Sequence, residues 1–213
     1  MKLPFSRPPR ETPVYADTPL GIVSAGGLRF RTTEPLLRDY AGGVLDAVGL
    51  DVLIRRTETW VRSPQTATAL ALPLALAVMP WPAAVAVALL VYALWTLAAP
   101  SLASPRMARL FGVLEHPVLQ GLLYVGVLSA FAARGETAAA LVGTLGFVAL
   151  RLGAVGAVMG RLLAPVTDRI FALPVPDQTL RALIVREAFG RGIELDEIGE
   201  ISRRVQSFWR RGG

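Results

Sequence analysis

The sequence has no cysteine, a single histidine and a single lysine among its 213 residues. Without cysteine the chain cannot form disulfides, use a catalytic thiolate, or hold zinc or an iron–sulfur cluster through sulfur ligands. The sole histidine, His116, cannot build an ordinary zinc site alone, and we expect it at the exposed start of a helix. A glycine-rich phosphate loop and a nucleophile elbow are also missing from the sequence. We therefore expect no metal, no cofactor and no enzyme activity.

Charged residues are also scarce in this chain. They make up 18% of the residues, whereas hydrophobic residues make up 53%, and the mean hydropathy is +0.50. These values depart from the soluble average in the direction of a membrane protein. The 22 basic residues outnumber the 16 acidic ones and flank the apolar blocks. Membrane lipid is therefore the first partner to consider, and nucleic acid comes after it.

The longest stretch without a charge covers residues 63–105 and contains the sequence VMPWPA. An unbroken helix over residues 63–99 would be about 55 Å long, nearly twice a hydrocarbon core of about 30 Å. Pro80 and Pro82 lack amide donors and disfavour helical backbone in the residues before them. We predict two spans, over residues 64–79 and 82–99, joined by a short non-cytoplasmic turn.

Two further apolar runs predict spans three and four, over residues 117–133 and 137–160. Arg134 is the sole basic residue predicted on the non-cytoplasmic side, so the positive-inside rule places both termini in the cytoplasm. The N-terminus has no apolar signal-peptide core, and we expect it to stay uncleaved. The predicted class is an all-α integral membrane protein of the cytoplasmic (inner) membrane, multi-pass, with four transmembrane helices in two hairpins and flanking cytoplasmic amphipathic helices. The predicted divisions are 1–62, 63–161 and 162–213.

The N-terminal segment is predicted to lie on the cytoplasmic side. Prolines predict irregular structure over residues 1–33, apart from a short hairpin around residues 25–27. An amphipathic helix of about 14 residues begins at Glu34, because apolar residues then recur at helical spacing. A second short, basic helix follows near Asp51, and its apolar face would contact either the membrane surface or another protein.

The C-terminal segment is also predicted to be helical. A helix over residues 178–189 has Asp177 as a plausible N-cap, and Gly190 and Gly192 mark its end. A last helix over residues 194–211 is interpreted as a docking helix for a partner or for anionic lipid. Its apolar stripe and adjacent aromatic residue are Ile198, Ile201, Val205, Phe208 and Trp209.

Small residues recur every three or four positions along the predicted fourth span. Gly156 and Gly160 form a small-xxx-small pair, and Ala149 with Gly153 extends the pattern. Such spacing lets two helix backbones approach closely. We predict a helix-packing interface at these four residues, within the bundle or with another subunit. The alternative is that glycine is simply more frequent in membrane helices.

Arg151 is the one charged residue inside a predicted span. A charge at the centre of a membrane helix costs about 2.5–3.5 kcal/mol, so its presence needs a reason. The side chain can snorkel toward the cytoplasmic headgroups, or it can pair with Glu115 at the base of span three. A functional role as an intramembrane charge is the further possibility.

Three hypotheses for function follow from these patterns. The first is a non-catalytic membrane subunit or assembly scaffold that binds partner proteins through its glycine-faced spans and cytoplasmic helices. The second is a small transporter or channel subunit that works as a homo-oligomer, with Arg151 lining its pathway. The third is a membrane-tethered nucleic-acid binder, suggested by the arginines of residues 177–213. The first is preferred, because the spans lack the acidic residues that coupled transporters usually carry.

Overall fold

The computed structural model describes residues 14–171 and 173–195. This part of the chain is mostly helical, with eight helices and one two-stranded antiparallel sheet. The elements are β1 Tyr15–Thr18, β2 Gly21–Ser24, α1 Glu34–Val48, α2 Leu50–Val78, α3 Trp81–Leu102, α4 Pro105–Leu114, α5 Pro117–Ala133, α6 Thr137–Arg151, α7 Ala154–Phe171 and α8 Val175–Arg191. The predicted docking stripe, Ile198, Ile201, Val205, Phe208 and Trp209, lies outside the described residues.

One helix among the described residues, α3, is long and apolar enough to cross a membrane on its own. Two bent pairs, α4 with α5 and α6 with α7, reach the same length and hydropathy only when each pair is taken together. The described chain therefore has up to 3 helical segments able to span a membrane. The predicted first span lies in α2, where Gln65 and Thr66 interrupt the apolar character. A membrane-capable helix is confirmed, and the number four stays a prediction.

The break between α2 and α3 follows the proline pattern. α2 ends at Val78, and Met79 is extended, with φ −144° and ψ 162°. α3 begins at Trp81, directly after Pro80. The predicted turn between the first two apolar helices is therefore confirmed, and the Trp81 side chain is 48% exposed beside it.

The prediction of a separate short helix near Asp51 is wrong, because α2 is continuous from Leu50 to Val78. Pro64 lies inside this helix and has no amide proton to donate to the carbonyl oxygen of Trp60. The Ser63 hydroxyl donates to that carbonyl instead, at 2.6 Å. The helix therefore passes through the proline without an orphaned acceptor, and it joins the basic segment directly to the apolar one.

The run predicted as the fourth span is not one straight helix, and its crossing of a membrane stays a prediction. α6 ends at Arg151 and α7 begins at Ala154, and the two helices are bent by 74°. Gly153 between them has a φ of +74°, in the left-handed region that glycine adopts at little cost and that ends an α-helix. The chain thus changes direction immediately after the one charge in this apolar run.

The elements at one end of the molecule share an apolar core, and we call this part the head. The head consists of β1, β2, α1, the first half of α2, the end of α3, α4 and α8. The predicted amphipathic helix is confirmed as α1, which begins at Glu34 and buries Leu37, Val44 and Leu45. α2 leaves the head and continues into a second apolar cluster, where its Leu72, Ala75 and Leu76 pack with Ala84, Ala88 and Phe131.

The hairpin around residues 25–27 is confirmed, and a further strand precedes it. The Phe30 amide donates to the carbonyl oxygen of Ile22 at 2.9 Å, and the Ser24 amide donates to that of Leu28 at 2.9 Å. β1 pairs with the other edge of β2, in a segment that its prolines led us to predict as irregular. The strand forms there because Tyr15–Thr18 lies between the prolines and contains none, so each of its residues keeps the backbone amide that a β-sheet requires.

Asp177 is not the N-cap of α8, because the helix begins at Val175 after Pro174. The carboxylate lies in the first turn, 5% exposed, and its Oδ1 accepts a hydrogen bond from the Arg31 amide at 2.9 Å. It therefore joins α8 to the chain that follows the hairpin. Gly192 ends the helix in a left-handed conformation, as predicted.

Burial raises the pKa of the Asp177 carboxyl, although the Arg31 amide opposes the shift. Because the folded pKa lies above the unfolded value of about 3.8, the folded state binds more protons in this window. The free energy of unfolding should therefore fall as the pH rises from the ordinary aspartate value through the raised one. Asp177→Asn should remove this part of the decline, because Oδ1 can still accept from Arg31.

The measurement is the melting temperature in detergent from about pH 4 to about pH 7, for wild type and Asp177→Asn. Asp46→Asn is the matched control, because the Asp46 side chain is 76% exposed. Parallel pH profiles for wild type and Asp177→Asn would show that this carboxyl does not contribute.

Two arginine contacts fix α8 against the two long helices. Arg56 of α2 pairs with Glu187 at 2.7 Å, and the Glu187 side chain is 12% exposed. Arg186 donates from Nη1 to the carbonyl oxygens of Leu102 and Ala103, where α3 ends. Guanidinium groups at a helix C-terminus satisfy its free carbonyls and favour its dipole. The head is therefore attached to both α2 and α3.

Candidate functional site

A cavity of about 840 Å³ lies where the head meets the apolar helices. Its walls come mainly from α2, α3, α5, α6, α7 and the residues that join α4 to α5. This volume is within the range of about 300–1,000 Å³ that is typical of small-molecule sites. The polar side chains that line it include Arg62, Gln65, Glu115, His116, Gln120 and Arg151. We call it the polar cavity.

The breaks within the two bent helix pairs lie at this cavity. Glu115 and His116 separate α4 from α5, which are bent by 54°, and both residues line the cavity. Leu152 and Gly153 separate α6 from α7 and line it as well. Irregular backbone at membrane depth is tolerated where it is buried in protein or lines a water-filled space. The polar cavity therefore places both breaks beside polar side chains.

Arg151 lies at the end of α6 and is held by Gln120. Its Nη1 donates to Oε1 of Gln120 at 3.4 Å, and Gln120 is 4% exposed. Its hydrogen-bond partner is thus the glutamine of α5 and not the predicted Glu115, although Glu115 lines the same cavity. α6 is a 15-residue helix from Thr137, so Arg151 lies about 22 Å along its axis from the turn at Arg134.

The four predicted interface residues have different surroundings. A Cβ on Gly156 would lie 2.0 Å from Nε2 of Gln65, so this glycine makes room for the Gln65 amide at the cavity wall. A Cβ on Gly153 or on Gly160 would meet nothing within 4 Å. Ala149 lines a second cavity. The four do not form one packing face within the described chain, and an interface with another subunit stays a prediction.

Two other glycines of α6 bring helices together. A Cβ on Gly143 would lie 2.7 Å from Cδ2 of Leu128, and one on Gly146 would lie 2.4 Å from Cδ2 of Leu72. Sequence reasoning missed this pair, although it belongs to the same glycine series as Gly156. The spacing indicates that a helix has small residues, and it does not say which of them face a neighbour.

His116 is the N-cap of α5, and its Nδ1 accepts a hydrogen bond from the Val118 amide at 3.3 Å. The prediction of an exposed residue at a helix start is therefore confirmed. Among the described residues, no group of three or more histidine, aspartate or glutamate side chains is arranged to hold a metal ion.

A second cavity of about 300 Å³ lies beside the polar one and is lined almost wholly by apolar side chains. It lies between α2, α3, α6 and α7, and we call it the apolar cavity. Leu150 lines both cavities. On α2 the polar cavity is bordered by Arg62 and Gln65, and the apolar one by Leu72. The apolar cavity is therefore farther from the head.

Sequence reasoning found Arg151 but missed Arg62, Gln65 and Gln120. The two glutamines carried a usable signal, because they are the only ones within the predicted spans and amides in lipid need partners. Arg62 gave no comparable signal in the sequence, because an arginine at the end of a membrane span is common. No known family model, curated protein or solved structure matches this chain.

Proposed function

We propose that this protein is a non-catalytic integral membrane subunit that serves as an assembly scaffold for partner proteins. In this proposal four segments cross the cytoplasmic membrane: the apolar half of α2, then α3, α5 and α6. The head and both termini are on the cytoplasmic side, where the basic residues accumulate.

The continuity of α2 is the observation that carries this proposal. The helix packs Leu53 and Ile54 into the head core and Leu72 and Leu76 into the apolar cluster outside the head. Arg186 fixes α8 to the end of α3 as well. A head held by two membrane helices presents its surface at a set distance and angle from the bilayer, which is what an assembly platform requires.

The outer surface of the head carries apolar side chains that a partner would cover. In the described part of the chain, Leu20 is 93% exposed, Leu36 is 60% exposed and Phe189 is 91% exposed. The Glu34 amide donates to the Asp17 carboxylate at 3.4 Å. This contact brings the segments that carry Leu20 and Leu36 together. Large exposed apolar groups outside a bilayer favour contact with another protein.

α7 supports the proposed orientation. The exposed apolar residues of α7 are spaced four apart, at Val158, Leu162, Val166 and Ile170, and Arg161 and Arg169 lie between them. With a 74° bend, α7 would lie nearly parallel to the bilayer if α6 crosses it. An amphipathic, arginine-bearing helix in that position matches an interfacial helix on anionic lipid.

The test of assembly is the mass and composition of the complex released from native membranes by mild detergent. We expect a defined set of other proteins in fixed ratio, lost with Phe189→Asp or Leu20→Asp and retained with the conservative Phe189→Leu. A homo-oligomer containing this chain alone would contradict the scaffold proposal.

The topology can be tested by labelling single cysteines in intact cells with a membrane-impermeant thiol reagent. Trp81→Cys and Arg134→Cys should label, whereas Asp46→Cys should label only after permeabilisation. Asp46 is chosen because its side chain is 76% exposed, so accessibility depends on the membrane and not on packing. Labelling at residue 46 but not at 81 would reverse the orientation.

A second candidate, a transporter or channel subunit, is favoured by one observation. Two broken helices meet at a polar cavity that Arg151 lines, and discontinuous helices often form substrate sites in transporters. Arg151→Leu should then abolish flux of the solute while leaving assembly intact. The nucleic-acid hypothesis rests largely on arginines after residue 195, which lie outside the described residues, and it stays a prediction.

A further inference from the structure

We propose that the polar and apolar cavities together bind one anionic lipid. Its phosphate group lies between Arg62 and Arg151, and one acyl chain extends past Leu150 into the apolar cavity. This binding site goes beyond the scaffold proposal, because it would be occupied whether or not partner proteins assemble on the head.

The charges that line the polar cavity favour an anion. Arg62 and Arg151 contribute two positive charges, and Glu115 is the acidic side chain among the lining residues. The lining side chains therefore keep a net positive charge even with Glu115 ionised. Glu58 lies close to Glu115 but outside the lining, and its carboxylate accepts from the Gly26 amide at 2.8 Å. Each guanidinium has five N–H donors, of which Arg151 uses one for Gln120 and Arg62 uses one for the Gly26 carbonyl oxygen at 3.5 Å. The remaining donors suit phosphate oxygens.

Two amide side chains contribute to the polar wall, and one of them, Gln120, is buried. Gln120 is 4% exposed, and its Oε1 fixes one edge of the Arg151 guanidinium. Gln65 occupies the space that Gly156 leaves without a side chain. The Gln65 amide can donate to the phosphate or glycerol oxygens of a headgroup, and either residue would be costly to bury without partners.

The two cavities are arranged along the membrane normal as a lipid is. On α3, Tyr92 and Thr96 line the polar cavity, whereas Val85 and Leu89 line the apolar one. Seven residues of helix separate Val85 from Tyr92, or about 10 Å toward the membrane interior. The polar end faces the cytoplasmic head, where the phosphate of an inner-leaflet lipid would lie. The shared Leu150 marks where the headgroup ends and the chain begins.

The experiment is a titration of the purified full-length protein, measured by native mass spectrometry in detergent micelles. The probes are phosphatidylglycerol and phosphatidylcholine with identical acyl chains, and glycerol phosphate without chains. We expect phosphatidylglycerol to bind at a ratio of one and at least about tenfold more tightly than phosphatidylcholine. Arg62→Gln or Arg151→Gln should each weaken phosphatidylglycerol binding by about tenfold or more.

Two controls separate this site from general attraction to anionic lipid. Arg134→Gln removes an arginine that does not line the cavity and should leave binding unchanged. Leu89→Trp fills the apolar cavity from a residue that is 40% exposed, and it should weaken phosphatidylglycerol but not glycerol phosphate. Melting temperatures show that each variant is folded.

Three results would overturn the proposal. Equal affinities for the two phospholipids would show that the site does not select an anionic lipid. Equal losses with Arg151→Gln and Arg134→Gln would indicate surface electrostatics and not a site. If glycerol phosphate binds as tightly as phosphatidylglycerol, the acyl chain contributes nothing to binding. The site would then be one for free phosphate esters.

Discussion

Replacing Trp60 with alanine should destabilise the protein by about 3–5 kcal/mol, the usual cost of removing a large aromatic side chain from a core. Trp60 is fully buried, its ring centroid is 5.4 Å from that of Phe111, and its Nε1 donates to the carbonyl oxygen of Ser104 at 3.4 Å. The side chain thus fastens α4 to α2. Its loss would leave a large void where the head meets the polar cavity.

The measurement is the melting temperature in detergent, for which this loss corresponds to roughly 6–20 °C in a chain of this size. Trp81→Ala is the matched control, because Trp81 has the same side chain but is 48% exposed. We expect it to shift the melting temperature by only a small part of that amount. A similar shift for both variants would show that the head core does not depend on Trp60.

Local sequence signals predicted the parts of the fold that depend on one or two neighbouring residues. The turn at Pro80 and the hairpin at Gly26 and Gly27 are examples, because a missing amide donor or a missing Cβ acts on the adjacent backbone. The helix from Glu34 was predictable because its apolar residues repeat at helical spacing. A membrane class followed from composition, without reference to how the helices pack.

The other features of the fold depend on contacts between residues that are not local in the sequence, or on which neighbour a residue faces. The prediction of a separate helix failed at Pro64, because the Ser63 hydroxyl replaces the missing amide at the Trp60 carbonyl. The glycine series of α6 and α7 was visible, but the same residue type breaks the helix at Gly153 and packs it at Gly146. The spacing of the glycines alone therefore does not show which glycine ends a helix and which one packs against a neighbour.

The candidate site shows the same limit. Arg151 was identifiable as an isolated charge in an apolar run. Gln120 lies 31 positions away, and only the packing of α5 on α6 brings its Oε1 to the guanidinium. The polar cavity requires two helix breaks to lie side by side, which is a property of the assembled bundle. Polar residues in spans can therefore be flagged from sequence, but their pairing cannot.

Gly21→Ala should disrupt the head more than any other glycine replacement in the hairpin. Gly21 has a φ of +121°, and a Cβ there would lie 2.0 Å from the carbonyl oxygen of Phe30. That atom is backbone and cannot move aside as a side chain end can. To relieve the clash, the segment that carries Phe30 must move away from β2, although Phe30 and Ile22 are both buried in the head core.

Gly27→Ala is the matched control, because Gly27 also has a positive φ, of +82°, but a Cβ there would meet nothing within 4 Å. The backbone strain alone should cost about 1–2 kcal/mol at this position. Gly21→Ala adds the clash and the lost core contacts, and we expect at least about 2 kcal/mol more. Melting temperatures of the two variants give the difference directly. Equal costs would mean that β2 is free to shift, and that the hairpin is packed on the head more loosely than its hydrogen bonds indicate.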